Sequence, residues 1–119
     1  MAESSRVVAV LDDLMFTVKI HEAAKRAGVA IEFVKSEIDA MDKARSAPSL
    51  MILDLNCNSV DALRLIGSLK TDPETKSVPL ISYVSHVQGD LKQAAQQAGC
   101  DMVLARSAFS ANLPQLLKR

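Results

Sequence analysis

Two uninterrupted apolar runs, Val7-Val8-Ala9-Val10-Leu11 and Leu50-Met51-Ile52-Leu53, constrain this chain more than any other feature. Neither alternates between apolar and polar residues, so neither suits a strand with one face in water. Such runs belong to strands covered on both faces, as in a parallel sheet flanked by helices. Both stop abruptly in acid, at Asp12-Asp13 and at Asp54. From Met15 onward Phe16, Ile20, Ala23, Ala24 and Ala27 recur at helical spacing, and Gly28 stands where a left-handed C-terminal cap is wanted.

The same unit repeats along the chain. Ala30 to Val34 is a predicted strand. Ser36 opens a helix carrying Ile38, Met41 and Ala44, with Asp39 three residues on as a short capping box, and Pro48 closes its exit. After the second apolar run a helix is predicted from about Val60 to Lys70, with Ala62, Leu65, Ile66 and Leu69 inward. Thr71-Asp72-Pro73-Glu74 has turn composition. A strand from Val78 to Val84 leads through Ser85-His86 to a helix bearing Leu91, Ala94, Ala95 and Ala98, ended by Gly99. Met102 to Ala105 forms a fifth strand. The last helix is predicted to be short, Ser110 to Leu117, with Pro114 in its first turn and light packing. Strand–helix alternation with short links implies right-handed crossovers and one α/β domain over residues 1–119, a doubly wound five-stranded parallel sheet.

Composition narrows the function. Lys plus Arg and Asp plus Glu both number 14, so no basic field exists to draw in a phosphate backbone, and nucleic acid is not an expected partner. Cys57 and Cys100 lack the spacing of a zinc site or redox dithiol and read as free thiols of a reducing compartment. There is no secretory leader pattern and no apolar run of membrane-spanning length, so a cytoplasmic protein without membrane contact is expected.

In such sheets chemistry gathers at the carboxyl ends of the strands where strand order reverses. That rule brings together Asp12-Asp13, Asp54, Val84-Ser85-His86 and Arg106-Ser107. Converging carboxylates repel unless a cation is present, and hard oxygen ligands, including a neighbouring carbonyl such as that of Asn56, suit Mg²⁺. Each group also has a plainer reading: Asp12 or Asp13 as a helix N-cap, Asp54 as a loop acid, His86 and His21 as surface residues, Cys57 as packing. Arg106 and Ser107, with Ala108-Phe109-Ser110, form a candidate anion-binding turn at the start of the last helix.

Three stretches carry a resemblance: Pro48-Ser49-Leu50-Met51-Ile52-Leu53-Asp54-Leu55, Thr71-Asp72-Pro73-Glu74-Thr75 and Ala98-Gly99-Cys100-Asp101. Together they resemble the receiver domain of bacterial response regulators, over nearly the whole chain. The resemblance implies a flavodoxin-like receiver architecture, with Asp54 as phosphoacceptor. It implies that Asp12, Asp13, Asp54 and the backbone carbonyl of Asn56 hold Mg²⁺. It implies a histidine kinase or phosphotransfer protein upstream, and output to a protein partner through the face of helix four, strand five and helix five. Four departures accompany it. Aligned on Phe16, Ile20 and Gly28, the first acidic position falls on Leu11 and the second on Asp12, which weakens the metal site. The switch hydroxyl falls on Val84, where Ser85 substitutes only if the strand shifts register. The family's lysine falls on Arg106, a planar fork in place of a compact ammonium. The proline after that lysine is Ser107, and the Pro-Gly pair after the phosphoacceptor is Asn58-Ser59.

A hydrogen bond to a charged group contributes about 1.5–3 kcal/mol, against roughly 5.5 kcal/mol to carry a switch from 1:99 to 99:1. Losing one hydroxyl therefore weakens coupling without preventing phosphorylation. Three functions stay open at this stage: a stand-alone, non-enzymatic receiver of a two-component phosphorelay; a phosphorylation-independent pseudo-receiver that binds a partner; and a small flavodoxin-like enzyme. The third has least support, because Gly28, Gly67, Gly89 and Gly99 make no phosphate-cradling loop.

Overall fold

A computed structural model describes residues 6–85 and 89–117 of the chain. Five strands alternate with five helices: β1 (Arg6–Val10), α1 (Leu14–Ala27), β2 (Ala30–Val34), α2 (Glu37–Ala44), β3 (Leu50–Asp54), α3 (Ala62–Thr71), β4 (Leu80–Val84), α4 (Gly89–Gln97), β5 (Met102–Ala105) and α5 (Arg106–Leu117). All strand pairs are parallel, in the order β2-β1-β3-β4-β5. The order reverses between β1 and β3, so the crevice beyond their carboxyl ends is the natural place for a ligand.

The apolar runs are buried on both faces. On one side Val7, Ala9, Leu50, Ile52, Ile81 and Tyr83 pack with Ile20 and Ala24 of α1 and Phe109, Leu113 and Leu117 of α5. On the other, Val8, Val10, Met51, Leu53, Leu80 and Val84 pack with residues of α2, α3 and α4. Helix starts are fixed by caps: Asp13, Ser36 and Asp61 accept the N–H of Phe16, Asp39 and Arg64 respectively.

At the amino ends of β4 and β5 a second set of contacts locks the scaffold. The Lys70 ammonium donates to the carbonyls of Lys76 and Val78 and to Asp101 at 2.8 Å, and the same Asp101 oxygen accepts the Leu80 N–H. The buried Thr75 hydroxyl donates to the Leu69 carbonyl at 2.7 Å. The two turn motifs noted in the sequence thus lie at the rim opposite the strand carboxyl ends, and they are structural.

Two glycines differ instructively. Gly28 caps α1 at φ 71° with open space where a Cβ would stand, whereas Gly99, at φ 109°, would set a Cβ 3.1 Å from the Lys70 stem. Gly28→Ala is expected to cost about 1 kcal/mol from backbone strain alone. Gly99→Ala adds the steric contact and is expected to cost about twice as much. Urea denaturation of the two variants checks the order, and equal losses would show that the Lys70 stem gives way freely.

Several boundaries move. Helix α3 starts at Ala62 and β4 at Leu80, each two residues later than the sequence pattern places them. Ile38 does not face the core: it is 81% exposed, and Ala40 and Ala44 are the buried residues of α2. The largest correction concerns α5. It begins directly after β5 at Arg106, holds Pro114 in its interior, and buries Phe109, Leu113 and Leu117 almost completely. Its packing is therefore substantial, because the 4-residue spacing of those side chains outweighs the helix-breaking tendency of one exposed proline. Among the described residues no helix is long and apolar enough to cross a membrane.

Candidate functional site

Asp54 ends β3 and is only 6% exposed. Its Oδ1 accepts the Asn56 N–H at 2.8 Å. Burial pushes the Asp54 carboxyl above its ordinary value; the Asn56 N–H and the Arg106 charge pull it down, while Asp12 and Asp13 push it up. Asp12, Asp13, Asp54 and Arg106 thus share one rim, close enough to feel one another.

Each neighbour is held by its own contacts. Asp12 Oδ2 accepts the Ser59 N–H at 3.1 Å and ties the segment after β1 to the loop after β3. Asp13 caps α1 through Oδ1 and pairs through Oδ2 with Arg106 Nη2. The Arg106 guanidinium lies 4.6 Å from the Phe16 ring centroid, a cation–π arrangement that fixes its height above the sheet. Asn56 Oδ1 accepts the Ser85 N–H at 3.2 Å. Lys19, whose ammonium contacts Ser110 Oγ at 3.1 Å, closes a cavity of about 460 Å³ lined by Phe16, Lys19, Ser85, Arg106, Ser107 and Ser110. Helix α5 starts at Arg106, so Arg106, Ser107 and Ser110 at its beginning line this cavity.

The other sequence candidates fall as follows. Val84 is buried among apolar side chains on the α2–α3–α4 side. The β4 ladder runs in regular register through Asp54↔Tyr83 and Val84↔Ala105, so Ser85 does not slide into the place of Val84. Cys57 is half-buried, with Sγ 3.3 Å from Ser59 Oγ, and Cys100 is buried against Ser82. His86 lies outside the described residues.

The rim is a poor metal cage. Among the described residues no three of His, Cys, Asp and Glu form a group that could hold an ion. Both Asp13 oxygens are engaged, one on a helix N-terminus and the other on a cation, and the neighbouring Leu11 is a buried apolar residue that offers no ligand. Two carboxylates beside a guanidinium do not supply the hard oxygen shell that Mg²⁺ demands.

No family model matches the chain. In sequence it is similar to the polar-differentiation response regulator DivK of Brucella ovis, 22% identical over 104 residues, covering 86% of this chain and 85% of that protein. In structure it superposes on the phosphorylated cyanobacterial phytochrome response regulator RcpA with a TM-score of 0.82 at 21% identity, covering 98% of this chain and 90% of that one. It matches the chemotaxis response regulator CheY4 of Vibrio cholerae with a TM-score of 0.83 at 19% identity and 98% coverage of both chains. The receiver domain of the sensor histidine kinase PA1611 of Pseudomonas aeruginosa gives a TM-score of 0.83 at 19% identity, over 98% of this chain and 97% of that one; that structure has a magnesium ion coordinated in its active-site cleft.

The chain has the fold of receiver domains. The rim holds Asp54 at the end of β3, Asp12 and Asp13 after β1 and Arg106 after β5, while Leu11 and Val84 beside it are apolar and buried.

One residue of the rim escaped the sequence reading. Tyr83 pairs in register with Asp54 and lies on the same face of the sheet, 1% exposed, its ring stacked on Phe109 at 4.6 Å and tilted on Phe16 at 5.0 Å. The signal available was that the chain's only tyrosine sits next to the carboxyl end of the fourth strand.

Proposed function

We propose that this chain is a receiver module of two-component signalling that accepts a phosphoryl group on Asp54 and acts in the cytoplasm by protein contact. The observation that carries this reading is the placement of Asp54: a nearly buried carboxylate at the strand-order switch, bonded by the Asn56 N–H and facing the Arg106 charge. Desolvation makes that carboxylate more basic and hence a better nucleophile, while Arg106 and the first N–H groups of α5 supply the positive potential that three phosphoryl oxygens need.

In the transfer, an Asp54 carboxylate oxygen attacks the phosphorus of a phosphohistidine. The O–P bond forms, the P–N bond breaks, and the imidazole leaves with the electron pair and takes up a proton. The donor is a histidine kinase or phosphotransfer protein, and the output face is α4–β5–α5. A divalent ion would have to draw Asp13 away from Arg106, so Mg²⁺ binds weakly in this reading and no step passes through it.

A second reading, a pseudo-receiver whose partner binds without phosphorylation, is favoured by the Asp13–Arg106 pair and the buried Val84, which resemble a site held in one state. One experiment separates the two. Incubation with phosphoramidate, followed by intact mass, is expected to show one added phosphoryl group on the wild type and none on Asp54→Asn. No adduct on the wild type at any donor concentration, with or without Mg²⁺, would leave the pseudo-receiver.

A further inference from the structure

The hydroxyl of Tyr83 is buried and has no hydrogen-bond partner among the described residues. A buried donor left unpaired costs free energy, and native proteins seldom tolerate it without a reason. Phenylalanine would fill the same space between Phe16 and Phe109 at no such cost. The position of the hydroxyl suggests the reason. Register sets Tyr83 beside Asp54 on one face of the sheet, and the phenol lies within electrostatic reach of Asp54, Arg106, Asp13 and Cys57. Burial, followed by the Asp54 charge, pushes the phenol well above its ordinary value, so it stays a protonated donor throughout the working pH range.

On the other face of β4, the residue at this end of the strand is the apolar Val84, and the Ser82 hydroxyl is engaged by Cys100. A phosphoryl group on Asp54 adds three anionic oxygens to a rim where Arg106 and backbone N–H groups stand nearest, with Lys19, Ser85, Ser107 and Ser110 lining the adjoining cavity. Resting on the reading that Asp54 is phosphorylated, we propose that Tyr83 is the phosphoryl-contacting hydroxyl of this site: its O–H, unpaired at rest, donates to a phosphoryl oxygen carried by Asp54. The strand then signals occupancy through the aromatic stack of Tyr83, Phe16 and Phe109, which joins β4 to α1 and α5, instead of through a side chain at Val84.

Tyr83 is the chain's only tyrosine, and there is no tryptophan, so ultraviolet emission reports this one phenol. Wild type, Tyr83→Phe and Asp54→Asn are each treated with phosphoramidate, and adduct is followed by intact mass and by its decay after donor removal. Emission is followed in the two variants that keep the tyrosine. The wild type is expected to take the adduct and change its emission, and Asp54→Asn to do neither. Tyr83→Phe is expected to take the adduct but lose it about tenfold faster, as befits one charged hydrogen bond. Its resting stability should equal or exceed that of the wild type, because no bond is lost at rest. An adduct equally long-lived in Tyr83→Phe, or a wild-type emission unmoved by phosphorylation, overturns the role of Tyr83 alone. So does a clear loss of resting stability in Tyr83→Phe, which would mean the hydroxyl is already committed. Absence of any wild-type adduct overturns the phosphoacceptor reading and this one with it.

Discussion

Phe109→Ala is expected to remove about 3–5 kcal/mol of stability, the range for deleting a fully buried phenylalanine. A domain of this size holds only about 5–15 kcal/mol in total, so the variant should sit near the edge of folding. The reason is local. Phe109 is fully buried and stacks 4.6 Å from Tyr83 and 6.1 Å from Phe16, so three of the chain's four aromatic rings meet where α1 and α5 press on β4. Leu113 and Leu117 are themselves buried on the lower turns of the same helix face and have little freedom to collapse into the gap. Chemical denaturation measures the loss. A cost below about 1 kcal/mol would mean that those two leucines alone dock α5 and that the stack is dispensable.

That stack also shows where sequence reading succeeded and where it ran out. The strands were legible because a run buried on both faces leaves no polar alternation to misread, and the caps at Asp13, Ser36 and Gly28 follow from local chemistry within four residues, whereas the Asp61 cap of α3 was not foreseen. Helix α5 was shortened because Pro114 is a strong local signal, while the evidence for a longer helix, Phe109, Leu113 and Leu117 on one face, pays off only through tertiary packing. At the site, the convergence of Asp12, Asp54 and Arg106 followed from topology alone. Two things did not. Asp13 and Arg106 are 93 residues apart, and their pairing depends on the height at which Phe16 holds the guanidinium. The placement of Tyr83 beside Asp54 on one face depends on strand register, which a run of apolar residues does not disclose.

Asp54→Asn is expected to stabilise the protein at neutral pH by up to about 2 kcal/mol, within the range of single stabilising changes at strained functional positions. The carboxyl is raised in the folded state, chiefly by burial, so the native protein binds its proton more tightly than the unfolded chain does. The Asp54 contribution to wild-type stability is then most favourable below the ordinary carboxylate value of 3.8 and falls as pH climbs from there through the higher native value, levelling once Asp54 is ionised in both states. The asparagine variant does not titrate at this position. The stability gap between the two proteins should therefore be small in acid, widen across that window and stay constant above it. Paired urea denaturations in steps from acid to neutral pH read the gap directly. A gap that runs the other way, with the wild type gaining on the variant as pH rises, would mean that Arg106 and the Asn56 N–H outweigh burial. Asp54 would then be a settled ion-pair partner, and the rim would have little reason to receive a phosphoryl group at all.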